Sequence, residues 1–119
     1  MIQVDVEEER QEILKRYRRL LRQAKPVLKS GDTKLIKKAF TISLEAHKDM
    51  RRKSGEPYIY HPLEVALICV EEIGLGTTSI ISALLHDVVE DTDLELEDIE
   101  RDFGTKVMTI IDGLTKISG

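Results

Sequence analysis

Residues 77–91 constrain the fold more than any other stretch of this chain. Ile80, Ile81, Ala83, Leu84, Leu85, Val88 and Val89 nearly encircle a helical axis there, the pattern of a helix covered on most sides. A single amphipathic neighbour covers one face only, so this helix needs several partners around it. The segment nevertheless ends in His86-Asp87-Val88-Val89-Glu90-Asp91. A buried helix is expected to shed charge, because an unpaired buried ion is costly or neutralises itself. The two requirements meet in one place, and any fold must reconcile them.

The flanking sequence supplies the partners. Ile13, Leu14, Tyr17, Leu20, Leu21 and Ala24 recur at helical spacing. Glu7, Glu8 and Glu9 open that helix and Arg18, Arg19, Arg22 and Lys25 lie toward its end, which suits the helix dipole. Its basic cluster is read as a solvated face. Pro26 kinks or ends it, and Ser30-Gly31 stops what continues. Asp32 or Thr33 is expected to cap a second helix running to about residue 49, with Leu35, Ala39, Ile42 and Ala46 on one stripe. Ile36, Phe40 and His47 form a neighbouring stripe, and His47 is read as a hydrogen-bonded residue at the core edge. Residues 50–60 form a loop by composition, and Tyr58-Ile59-Tyr60 is too short to found a sheet.

His61-Pro62 begins a third helix with Leu63, Ala66, Leu67, Val70 and Ile73 inward, ended by Gly74 and Gly76. Thr77 or Thr78 caps the fourth. A short acidic helix is expected over residues 96–102, ending at Phe103-Gly104, and Thr105 caps a last one through Val107, Ile110 and Ile111. There is no internal repeat. The reading is all-α, with about six helices.

Charge narrows the function classes. Residues 1–60 carry 15 basic and 9 acidic side chains, a balance of +6, and residues 61–119 carry 3 and 13, a balance of −10. A nucleic-acid binder would show a broad positive face, so direct nucleic-acid binding is not expected. No apolar run approaches the roughly 20 residues of a membrane span. The N-terminus lacks a positive signal-like region, and the chain is read as cytoplasmic. Cys69, the single cysteine, sits in an apolar stretch and is assigned to packing.

Within the HDVVED string, residues one turn apart lie above one another, His86 with Glu90 and Asp87 with Asp91. An imidazole and three carboxylates together call for a compensating cation or for raised pKa values. His61 offers a second imidazole at a helix entrance. Two histidines and an aspartate suit Mn, Fe or Zn better than Ca, which leaves Glu90 and Asp91 for acid–base work on a water. Just before His61, the loop Arg51-Arg52-Lys53-Ser54-Gly55-Glu56-Pro57-Tyr58 gathers cations, a hydroxyl and a ring, a set able to grip a nucleotide. Each element also has a plain reading: a His-Asp pair in a core, a capping histidine, a solvated helix end, an ordinary loop.

At this point RKSGEPYIYHPLEVA, ALLHDVVEDT, FGTKV and DGLTKIS together resemble the N-terminal hydrolase domain of the RelA/SpoT homologue proteins, within the HD superfamily of metal-dependent phosphohydrolases. The likeness covers about residues 35–119. The opening segment is similar to the lead-in helix of the long bifunctional members, so residues 1–30 are taken as that helix and 31–119 as the N-terminal part of the HD domain. The resemblance implies an HD-domain-like helical bundle and Mn2+-dependent removal of the 3′-pyrophosphate from (p)ppGpp, giving GDP or GTP and pyrophosphate, in the stringent response. It implies His61, His86 and Asp87 as metal ligands and Glu90 and Asp91 as the water-activating pair. It implies Arg52, Lys53, Ser54 and Tyr58 as guanine-nucleotide contacts. The unbroken HDVVED string marks a hydrolysis-competent parent, one also expected to act as a GTP pyrophosphokinase.

The superfamily closes its metal shell with a later Asp, downstream of the DGLTK segment, and Asp112 lies in the wrong motif to replace it. The chain is therefore expected to be a truncated piece, an incomplete bundle that hydrolyses ppGpp poorly if at all alone, with metal binding left open without the distal Asp. Its uncovered apolar faces are expected to drive a homodimer or a rearranged packing. The competing functions are another HD nucleotide phosphohydrolase, which the RKSGEPYI loop disfavours, and a non-catalytic helical regulatory module.

Overall fold

The computed structural model describes residues 5–72 and 75–118, with side chains through Lys116. Ile73, Gly74 and Gly119 lie outside the described residues, as does the first stretch of the N-terminus. Among the described residues, six α-helices account for the fold: α1 (Val6–Ala24), α2 (Asp32–Ala46), α3 (Tyr60–Glu71), α4 (Thr77–Asp91), α5 (Leu96–Phe103) and α6 (Thr105–Ser118). Among the described residues the only extended pairing is an isolated antiparallel bridge between Arg51 and Pro57.

Helix α4 is the axis of the bundle. It packs against α2, α3 and α6, while α1 lies on α3 and α5 on α6. Ile80, Ile81, Ser82, Ala83, Leu84, Leu85 and Val88 are buried. Burying each large aliphatic side chain contributes about 1.5–3 kcal/mol, which is why this helix organises the others. Ser82 is tolerated inside because its hydroxyl donates to the Thr78 carbonyl at 2.7 Å.

Local signals set most of the boundaries. Asp5 caps α1, accepting from the Glu8 amide at 3.0 Å, and three glutamates fill the first turn. A 3-10 turn over Lys25–Val27, built around Pro26, ends that helix. Glu95 and Asp98 cap α5 reciprocally, a capping box.

Several expectations need correction, and one is the cap of α4, which is Gly76 and not Thr77 or Thr78. The N-cap of α2 is Gly31, at φ 87°, and not Asp32 or Thr33. The Asp32 carboxylate instead accepts from the Lys29 amide at 2.8 Å and the Thr77 hydroxyl at 2.7 Å, tying the start of α2 to the start of α4. The positive φ suits a residue without a Cβ. Helix α2 also stops at Ala46, and His47 leads into a turn. Finally, α3 begins at Tyr60, so His61 sits inside its first turn and not ahead of it. Proline tolerates that position because first-turn amides have no helical partner to lose.

Candidate active site

The C-terminal half of α4, the start of α3 and the loop between α2 and α3 converge at one end of the bundle. His61, His86 and Asp87 each present one ligand atom, all within 4.8 Å of one another, and all three are half-buried. Their ring and carboxylate orientations are fixed by neighbours. His86 Nδ1 lies 2.9 Å from the Ala83 carbonyl oxygen, which can only accept, so that nitrogen carries a proton and Nε2 is the ring atom left to face the cluster. The same arrangement orients histidines that ligate metals through Nε2. His86 Nε2 is 3.1 Å from Asp87 Oδ1, so the two could face one ion together. The His61 and His86 rings meet edge to face with centroids 6.4 Å apart. The residues present therefore fit a divalent transition cation.

Tyr58 supports this cluster from behind. Its hydroxyl donates to Asp87 Oδ2 at 2.6 Å, the short range of a bond to an ionised acceptor. Burial, and after it the Asp87 carboxylate, pushes the phenol well above its ordinary range, so it remains a donor. Tyr58 also stacks edge-on to His61 and tilted against His47, at 5.8 and 4.8 Å between centroids.

The loop before α3 is a small hairpin. Arg52 N donates to Glu56 O at 2.9 Å, Gly55 N to Arg52 O at 2.8 Å and Tyr58 N to Met50 O at 2.9 Å. Gly55 makes the reversal at φ 93°, a conformation costly for residues with a Cβ. Arg51 belongs to the scaffold: it grips Glu9 of α1 with both terminal nitrogens, at 2.7 and 2.9 Å, and donates to the Gly55 carbonyl at 2.7 Å. Arg52 and Lys53 remain exposed. Arg52 lies 3.5 Å from Glu56 and 4.0 Å from Glu64, and the Ser54 hydroxyl donates to Glu56 at 3.1 Å. Arg52 also lines an open cleft of about 720 Å³ with Arg16, Arg19, Glu64 and Glu71. That cleft lies on the α1–α3 side, and none of the three clustered ligands lines it.

Glu90 and Asp91 stand outside the His61–His86–Asp87 cluster. Both are exposed at the end of α4. Asp91 Oδ2 meets His47 Nε2 at 3.3 Å. The sequence expectation for His47, a hydrogen-bonded core-edge residue, agrees with this position, but the carboxylate partner was missed. No periodicity could have announced a contact across 44 residues, nor the Tyr58–Asp87 bond across 29.

A family model described as an HD domain matches residues 39–119. The chain belongs to the HD-domain family. Among its relatives is a protein of Streptomyces coelicolor named GTP pyrophosphokinase, 39% identical over 105 residues, covering 88% of this chain and 12% of that protein. A protein of Aquifex aeolicus named guanosine-3′,5′-bis(diphosphate) 3′-pyrophosphohydrolase is 48% identical over 82 residues, 69% of this chain and 12% of its own length. Its namesake in Vibrio cholerae is 37% identical over 94 residues, 79% and 13%. The resemblance to the RelA/SpoT homologues, drawn from the motifs, is thus borne out. The chain spans about an eighth of the length of these curated relatives, as their 12–13% coverage shows.

Proposed function

We propose that this chain is the major part of a (p)ppGpp 3′-pyrophosphohydrolase domain within a longer RelA/SpoT-type enzyme, one that also carries GTP pyrophosphokinase activity. The observation that carries the reading is the placing of His61, His86 and Asp87 together beside the hairpin that presents Arg52, Lys53 and Ser54. In the reaction, water attacks the phosphorus attached to the ribose 3′ oxygen. The P–O3′ bond breaks, pyrophosphate leaves, and the 3′ oxygen takes up a proton. Glu90 and Asp91 accept the proton that the water gives up. Arg52 and Lys53 pair with phosphate, and Ser54 and Tyr58 complete the nucleotide contacts. His61, His86 and Asp87 hold a divalent cation, assigned as Mn2+, which when bound polarises phosphoryl oxygen and water.

A cytoplasmic location is part of this proposal; no described helix is long and apolar enough to cross a membrane. Pyrophosphate release from ppGpp with added Mn2+ tests the function, comparing this chain with one extended past Gly119. Strong release by the extended form and weak release by this chain is expected. No release by either would refute the hydrolase reading, and full turnover by this chain would refute the need for a distal ligand. We also propose self-association through apolar side chains such as Ile68, Ile110 and Leu114, which are 46%, 38% and 40% exposed. A single 13.6 kDa species in size exclusion with light scattering would refute it.

A further inference from the structure

We infer that His47 is a positioning residue for Asp91, a buried imidazolium that donates Nε2–H to the carboxylate and fixes its orientation. The inference rests on the reading of Asp91 as a water-activating group, and it deepens that reading by naming what keeps the group in its working orientation.

Hydrogen-bond accounting at the ring carries it. His47 Nδ1 is 2.9 Å from the Ser43 carbonyl oxygen. A carbonyl only accepts, so Nδ1 bears hydrogen. The Ser43 hydroxyl lies on the same nitrogen but farther off, at 3.4 Å. A bare Nδ1 would set its lone pair against the carbonyl oxygen at 2.9 Å, a repulsion that a longer contact from the hydroxyl does not offset. On the other side, Nε2 is 3.3 Å from Asp91 Oδ2. A bare Nε2 would set its lone pair against the carboxylate oxygen, so a proton lies between the two, and the imidazole, the more basic partner, holds it. The ring thus carries both protons.

The surroundings permit this charge. The His47 side chain is fully buried, so water cannot replace either partner, whereas Asp91 is 30% exposed and keeps part of its hydration. Both ring nitrogens are satisfied, which a buried cation requires. The Tyr58 ring packs on the imidazole at 4.8 Å between centroids, and an aromatic ring stabilises a neighbouring cation. Glu9, Arg10, Lys48, Asp49 and Arg51 line the cavity that His47 also borders. Of these, Glu9 is already engaged by Arg51.

The consequence for the site is geometric. With Oδ2 held by Nε2–H, Asp91 cannot turn freely, and Oδ1 is left for the water. One layer of side chains behind α4 serves both carboxylates of one helical turn: Tyr58 holds Asp87, and His47 holds Asp91.

Side-chain 15N NMR of the intact protein at neutral pH tests this, with the His47 signals assigned by their loss in His47→Gln. Protons on both ring nitrogens are expected in the wild type. In Asp91→Asn, Nε2 is expected to lose its proton and accept from the amide. A bare Nδ1 or Nε2 in the wild type would overturn the inference, as would a spectrum unchanged by Asp91→Asn. In whichever form of the protein turns over, His47→Gln keeps a neutral donor and removes the charge. It is expected to lower kcat by roughly 10- to 100-fold, the range for partners one step behind a working group, with KM unchanged. A raised KM at full kcat would overturn the positioning role. The spectrum needs no turnover, so a doubly protonated His47 together with no turnover even by the form extended past Gly119 would refute the hydrolase reading and leave the ring's protonation standing.

Discussion

Removing the Tyr58 hydroxyl separates two roles for one residue. Tyr58→Phe keeps the ring against His47 and His61 and deletes the 2.6 Å bond to Asp87 Oδ2. The Asp87 side chain is only 14% exposed, so water replaces the lost donor poorly. A hydrogen bond to a charged group contributes about 1.5–3 kcal/mol, and the shortness of this one places it toward the upper end. At 1.4 kcal/mol per factor of ten, the ligand cluster should lose roughly 10- to 100-fold in Mn2+ affinity. Isothermal titration of wild type and variant with Mn2+, with far-UV circular dichroism to show that both are folded, measures it directly. Equal affinities would refute the argument that Tyr58 braces the metal site. If the variant then raised only the KM for ppGpp, Tyr58 would be a nucleotide contact, the role the family resemblance implies.

The Glu9–Arg51 pair makes a pH prediction for stability. Its guanidinium holds the Glu9 carboxyl below its ordinary value of 4.5, so the folded state binds that proton less readily than the unfolded one. The pair's contribution is therefore fully present above about pH 4.5 and fades as pH falls through the depressed folded value. Arg51→Ala should lower Tm at neutral pH by more than it does at pH 3, and an equal loss at both would contradict the assignment. Gly55→Ala meets no steric neighbour within 4 Å but must hold φ at 93°. It should cost about 1–2 kcal/mol of loop stability and raise KM for ppGpp while leaving Mn2+ binding intact. Wild-type KM would mean that the hairpin shape does not set the nucleotide contacts.

What the sequence made legible was what short-range periodicity encodes. The near-encircling apolar pattern of residues 77–91 required a central helix, and α4 is one. The HDVVED string put His86 and Asp87 beside each other, and His61 joins them as a second imidazole suited to the same metal. Less legible were choices made by distant partners. Asp32 has the chemistry of a cap, yet it is drawn away by Thr77, 45 residues on. His61 precedes a proline, which favours extended backbone, yet packing of Tyr60 and Leu63 carries it into the first turn of α3. Arg51 and Arg52 are indistinguishable by composition. One is consumed by Glu9, and the other remains available, because α1 happens to lie beside the first.

The grip of Arg51 also bears on how such a domain can drift in sequence. Positions 9 and 51 are tied by charge, but not symmetrically, since Arg51 also donates to the carbonyl of Gly55. Exchanging the two charges would restore the ion pair and orphan that carbonyl, because a carboxylate has no hydrogen to give it. Lysine offers a single nitrogen where three acceptor atoms wait. Position 51 is therefore predicted to tolerate little besides arginine in lineages that keep the hairpin, while position 9 is free to exchange glutamate for aspartate wherever α1 shifts to meet it.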